Sequence, residues 1–238
     1  MSRAALILVV LAGVTATAAA KPHKRSKRDR VTKKDSRVPT KSTKSNMPRG
    51  FVWPASKNMV AMGEDCARAV DELGVSVAPA KAAGRVITPL TLPDAVIGGI
   101  TFTPVYAKHQ VFDCQLVLAL ATFAPQLHGL GVREVKYGSA FRWSKVRVGG
   151  RTKNMLSRHA LGIALDIVSF VDESGREAVV EKDYRNDDLL LAVEKAVNDS
   201  GAFRLLLTPK NDPKSHHDHF HLEANPDYTE ARTERPAS

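Results

Sequence analysis

Apolar positions recur at helical spacing in two stretches. Residues 113–127 are apolar at 116, 117, 120 and 123, which predicts a buried helix. Pro125 is expected to end or kink it, and Gly129-Leu130-Gly131 marks the stop. Residues 187–199 are apolar at 189, 190, 193, 196 and 197, an amphipathic helix stopped by Gly201. A shorter helix is predicted over 65–73, ending at Gly74. Seven runs have strand character: 75–78, 87–92, 97–105, 132–137, 165–170, 203–207 and 219–222. Residues 172–175 form a hairpin turn, 149–154 a loop, and 208–215 a polar, turn-rich connection. The order is mixed, without strict βαβ alternation or internal repeat. It predicts an α+β fold with a central antiparallel sheet flanked by helices.

The periodic region is preceded by two segments of different character. Residues 1–20 hold Arg3, an apolar run over 4–14 and Ala18-Ala19-Ala20, the pattern of a secretory signal with an Ala-x-Ala cleavage site. The run is about half the ~20 residues a membrane span needs, and no other stretch is apolar enough to span. An exported protein is expected, periplasmic or extracellular and associated with the cell wall. Residues 21–49 carry twelve Lys/Arg and two Asp, a formal charge of +10. The whole chain is also +10 and the signal carries one Arg, which leaves residues 50–238 at −1. The basic character therefore belongs to the linker, which is too charged to bury a core and is expected to be disordered. It is either a solvated spacer or a tether to an anionic wall polymer or membrane surface. Export argues against nucleic acid. Residues 50–225 form the expected single domain, and 226–238 a disordered tail. The chain has two cysteines, Cys66 and Cys114. An even pair in an exported protein reads as one disulfide, and their isolation in sequence argues against a metal role.

Five of the eight histidines fall in two places, Ser157-Arg158-His159-Ala160-Leu161-Gly162-Ile163-Ala164-Leu165-Asp166 and His216-His217-Asp218-His219-Phe220-His221. A histidine and a carboxylate, with a histidine cluster some fifty residues on, can supply three ligands to one metal ion. Imidazole nitrogen with carboxylate oxygen suits zinc, and three protein ligands leave a fourth position open for water. Gly162 and the β-branched Ile163, Ile167 and Val168 argue against one helix through His159 and Asp166. The expected arrangement is His159 in a loop before a strand carrying Asp166, with Gly162 allowing a tight turn or close passage by the metal. In the last strand, His219 and His221 share a face.

The pattern Ser-x-His-x-x-Gly-x-Ala-x-Asp followed by His-x-His resembles zinc peptidases: D-alanyl-D-alanine carboxypeptidases and dipeptidases, lysostaphin-type enzymes and the hedgehog fold. Residues 157–170 and 218–223 are most similar to the extensin-like C-terminal domain family of bacteria, over roughly residues 60–225. The resemblance implies Zn2+ held by His159, Asp166 and His221 on the sheet, with His219 beside them. It implies that Asp218, three residues before the last ligand, stands where the D-alanyl-D-alanine peptidases keep a catalytic Glu. His219 can serve as base instead, as in the wider group. Arg142 is implied as a clamp for a substrate carboxylate. Ser157 is a candidate for contacting substrate or holding His159. Glu223 is either support for the last ligand or plain surface. His216 and His217 have no assigned role. The family also has cysteines at comparable places, which supports the Cys66–Cys114 bridge. Phe141 and Phe203 stand where relatives often have cysteines, so the two rings are expected to pack together.

The function expected from these readings is zinc-dependent hydrolysis of peptide bonds in peptidoglycan stems or cross-links, by a carboxypeptidase or endopeptidase. The alternatives are a catalytically silent, zinc-stabilised wall-binding module and a structural wall protein anchored by its basic linker.

Overall fold

The computed structural model describes residues 46–106 and 110–229. Residues 1–45, 107–109 and 230–238 lie outside them, and with them the expected signal segment and most of the expected linker and tail. The elements run α1 (Lys57–Glu72), β1 (Ala78–Pro79), β2 (Pro89–Thr91), β3 (Val96–Ile97), β4 (Ile100–Pro104), β5 (Phe112–Asp113), α2 (Cys114–Gly129), β6 (Val132–Ser139), β7 (Lys145–Val148) and β8 (Arg151–Leu156). A 3₁₀ turn (Arg158–Leu161) follows. Then come β9 (Ala164–Asp172), β10 (Glu177–Val179), α3 (Val180–Asp183), α4 (Asp188–Ser200), β11 (Phe203–Leu207) and β12 (Phe220–Ala224). The class is α+β.

Seven strands make the main sheet, in the order β11-β12-β9-β6-β4-β3 with β10 also paired to β9. It is not wholly antiparallel: β4 and β6 run parallel, because α2 lies between them as the crossover. Strands β9 and β12 alternate with period two. Leu165, Ile167, Phe220 and Leu222 point into the core under α2 and α4. Asp166 and His221, directly opposite each other in register, occupy the other face together with Glu223. One sheet face thus closes the core and the other carries the polar chemistry.

Helix boundaries follow from caps. Asp113 caps α2 by accepting from Gln115 N–H with Oδ1, and its Oδ2 accepts from Ile87 and Thr88 N–H. Pro125 does not stop α2, and its ring lies on the exposed face of the helix. Asp187 caps α4 through Leu190 N–H, and Gly201 ends it with φ +68°. Helix α1 begins eight residues before its expected start, capped by Ser56. Its buried Met59, Gly63, Cys66 and Val70 form one face, but Gly63 breaks the apolar pattern. That glycine is required, since a Cβ there would stand 2.0 Å from Thr88 Oγ1.

Three expectations are corrected. Residues 149–154 are not a loop: Gly149-Gly150, both with positive φ, turn the β7–β8 hairpin. Phe141 and Phe203 are not partners. Phe203 packs edge-to-face on Phe123 at 5.5 Å, and Phe141 lies over Gly84. The expected strand over 75–78 reduces to Ala78–Pro79.

The packed body is also wider than 50–225. Asn46 is buried, donating to Leu156 O and accepting from Arg204. Tyr228 is buried beside Phe51, and its N–H donates to Arg49 O. Cys66 and Cys114 are bonded, tying α1 to the start of α2.

Candidate metal centre and groove

The 3₁₀ turn places His159. Ser157 Oγ accepts His159 N–H and caps the turn. Gly162 closes it with φ +69°, where a Cβ would meet Asp113 N at 2.8 Å. The glycine is needed for that close backbone approach, and its O accepts from Asp113 N–H. His159 Nδ1 lies 2.8 Å from Ala140 O. A carbonyl only accepts, so Nδ1 carries the proton and Nε2 turns a lone pair to the site.

Three donor atoms converge there. His159 Nε2 is 3.0 Å from Asp166 Oδ1 and 3.2 Å from His221 Nδ1, and His221 Nδ1 is 2.8 Å from Asp166 Oδ1. A tetrahedral site with bonds of about 2.0–2.1 Å has edges of about 3.3 Å. The triangle is slightly tighter than that. His159, Asp166 and His221 are all buried and could hold a metal ion.

Each of the three is fixed from behind. Asp166 Oδ2 accepts from Ser139 Oγ–H at 3.0 Å and forms an ion pair with Arg142 Nη2 at 3.0 Å, leaving Oδ1 for the site. His221 Nε2–H donates to Glu223 Oε1 at 3.1 Å. Glu223 in turn receives Arg204 Nε at 2.7 Å and faces Arg158 Nε at 3.5 Å. Arg158 is 2 % exposed and also donates to Asn46 O and Ala224 O.

The charge states follow from these contacts. Burial lowers the pKa of His159 and keeps its ring neutral. Burial pushes Asp166 upward, but the surrounding imidazoles hold it well below the usual carboxylate range. Burial likewise opposes ionisation of Glu223, yet His221, Arg204 and Arg158 bring it down to about 2. Burial would lower His221, but Asp166 and Glu223 raise it to about 9. A cation entering the triangle must therefore displace a proton from His221 Nδ1.

Beside the triangle stands His219. Its Nδ1–H donates to Asp218 Oδ1 at 2.7 Å. Its Nε2 is buried, makes no well-aligned hydrogen bond, and faces Asp166 Oδ1 at 3.4 Å; burial opposes protonation of this ring, but Asp166 and Asp218 raise its pKa. A buried nitrogen this close to Asp166, without a well-aligned hydrogen bond of its own, fits a site made for a cation and its bound ligand. Asp218, about half exposed, sits behind His219 rather than over the triangle. His216 is buried between His219 and His221, with Nδ1 3.1 Å from Asp212 Oδ2, and burial takes it down to about 2. His217 points outward.

His159, His216, His219 and His221 line a groove of about 400 Å³. Arg142, Lys145, Arg147, Lys214 and residues 215–219 also contribute to its lining. Asn46, Ser157 and Glu223 also border it.

The sequence-predicted residues His159, Asp166, His221, His219, Asp218, Arg142 and Ser157 therefore gather at one place. Three contributors escaped the sequence reading: Ser139, the Ala140 carbonyl, and the arginines Arg158 and Arg204 behind Glu223; of the two readings of Glu223, support for the last ligand is the one found. Glu223 carried a usable signal, since it stands two residues beyond His221 in a strand and shares its face. Arg158 carried none that separates a buried arginine from an exposed one.

Among the described residues no helix is long and apolar enough to cross a membrane. No curated protein and no solved structure matches the chain. The sequence profile of the extensin-like protein C-terminus matches residues 65–233, and the chain belongs to that family.

Proposed function

We propose that the chain is an exported zinc peptidase that hydrolyses peptide bonds in peptidoglycan stems or cross-links. The observation that carries this is the set of three buried donor atoms, two of them on histidines that line an open groove, with His219 Nε2 3.4 Å from the third. Two imidazoles and one carboxylate suit zinc over harder cations. Bound there, zinc would supply a polarised water and a Lewis acid for the scissile carbonyl. The resemblance of the two motifs to zinc peptidases points to the same chemistry. The disulfide agrees with an oxidising, exported location.

The chain's own groups divide the remaining work. His219 Nε2 accepts a proton and returns it to the leaving amine. Asp218 Oδ1, on Nδ1–H, fixes the tautomer that leaves Nε2 free and stabilises the imidazolium once formed. Asp218 is one methylene shorter than the Glu of the related peptidases, so it supports the base rather than replacing it. Arg142, half exposed and bound to Asp166 Oδ2, offers its outer edge to a substrate carboxylate. Ser157 holds the turn that carries His159 and borders the groove.

One observation favours a second reading. His219 Nε2 lies close enough to Asp166 to become a fourth ligand. That would close the site and leave a zinc-stabilised wall-binding module. Digestion of purified muropeptides by the zinc-loaded mature chain, read by mass spectrometry, separates the two. The peptidase reading expects fragments that disappear in His159→Ala. Intact muropeptides across a wide set would leave the binding module.

A further inference from the structure

We infer that the β7–β8 hairpin is the substrate-gripping wall of this groove, selecting peptides that carry free carboxylates away from the scissile bond. The inference rests on the peptidase reading above and extends it to substrate class. Between Phe141 and Leu165 the chain has six arginines and lysines and no Asp or Glu. Arg158 is buried against Glu223. The other five, Arg142, Lys145, Arg147, Arg151 and Lys153, are exposed. Residues 50–238 sum to −1, so this is a local concentration of charge.

The placement of the cations argues for use rather than solubility. Lys145 and Arg147 line the groove with Arg142, and Lys214, from the loop before His216, lines it too. The hairpin tip is tied to that loop, because Gly150 N–H donates to Ser215 Oγ at 3.0 Å. At the other end, Ser157 N–H donates to Ser144 O. The wall is therefore held at a fixed position relative to the triangle. The acidic residues that border the groove are already engaged: Asp212 with His216, Asp218 with His219, and Glu223 with His221 and Arg204. Among the described residues, Lys145, Arg147, Arg151 and Lys153 form no ion pair with an acid, and Lys145 Nζ bonds only the Asn154 amide oxygen. Positive charge on a groove wall with no internal partner attracts an anionic ligand, steers its entry and fixes its register. Where the bond cut is a peptide bond, the neighbouring anions are carboxylates. Guanidinium forks bind these in two-point fashion, and ammonium groups bind them as point charges.

Binding is read by calorimetric titration, with the fluorescence of Trp143, 61 % exposed and two residues from Lys145, as a second signal. The probe is a muramoyl tripeptide with free carboxylates, compared with its amidated twin, at about 20 mM and about 200 mM salt. The mature wild-type chain should bind the free acid more tightly, with the preference shrinking at high salt. In Lys145→Gln/Arg147→Gln the free-acid affinity should fall about tenfold, and amide affinity less than twofold. Metal content and unfolding midpoint serve as the check that the variant is folded. Arg151→Gln/Lys153→Gln, outside the groove lining, should lose much less. Equal affinity for acid and amide in the wild type would overturn the inference. So would equal losses in both double variants, or tighter binding of a phosphate polymer than of the free acid. Binding is read without cleavage, so carboxylate selection without hydrolysis would sink the peptidase reading alone. Hydrolysis without carboxylate selection would sink this inference alone.

Discussion

Replacing Glu223 with Gln tests whether the support behind His221 is structural, electrostatic or both. The change keeps shape and one carbonyl oxygen to accept His221 Nε2–H. It removes the carboxylate charge that faces buried Arg158 at 3.5 Å and Arg204 at 2.7 Å. Removing one member of a buried ion pair costs about 3–5 kcal/mol, because the partner remains charged in a poor solvent. The acid's own titration gives a similar size. Its pKa falls from 4.5 to about 2 on folding, which corresponds to about 3 kcal/mol. A depressed acid stabilises the fold above its unfolded pKa, and the contribution is lost as pH falls from about 4.5 towards 2. Urea unfolding at pH 7 should therefore show a loss of about 3 kcal/mol. The gap between wild type and variant should narrow as the pH is lowered below 4.5. Metal affinity should also fall about 10–100-fold, as outer partners of ligating histidines typically require. A loss under about 1 kcal/mol, or a gap that is constant with pH, would refute the reasoning.

Four further outcomes are expected. Cys66→Ala/Cys114→Ala opens a loop of 48 residues, and chemical denaturation should show a loss of about 4 kcal/mol in the chain-entropy picture; an unchanged midpoint would contradict it. His159→Ala, Asp166→Ala and His221→Ala should each lower bound metal, and wild-type metal affinity should drop about tenfold per pH unit below the His221 value of about 9, measured by competition titration. Asp218→Asn should keep metal while turnover falls, and His219→Ala should lose on the order of 10²–10⁴-fold in turnover; if Asp218→Asn alone abolishes turnover, the carboxylate is the base. Deleting residues 21–45, which spares the buried Asn46, should weaken retention on wall sacculi at low salt, with equal retention excluding the tether.

Most of the candidate site was legible because its spacing is local. His159 and Asp166 lie seven apart across a turn and a strand. His221 and Glu223 lie two apart in another strand, where period two decides the face. The α2 and α4 helices were legible for the same reason, since their apolar residues repeat within a few turns. What escaped depends on partners distant in sequence. Gly63 looks like an interruption until Thr88 is seen against it. The β7–β8 strands have almost no apolar alternation, because they are exposed and charged, so only Gly149-Gly150 marked them. The parallel β4–β6 pair depends on where α2 packs, which periodicity does not encode. Phe203 was paired with the wrong ring for a similar reason: its true partner, Phe123, lies on a helix eighty residues earlier. The roles of Asp218 and His219 differ by one peptide unit in sequence. Only the direction of His219 Nε2 tells them apart.

The central claim is an open metal site at a groove, and anomalous diffraction at the zinc edge from crystals of the zinc-loaded mature chain tests it most directly. The account predicts one strong peak about 2.0–2.1 Å from His159 Nε2, Asp166 Oδ1 and His221 Nδ1. The fourth position should be held by solvent, with His219 Nε2 hydrogen-bonded to it. A peak coordinated by His219 as a fourth protein ligand, or no peak among these residues, would contradict it.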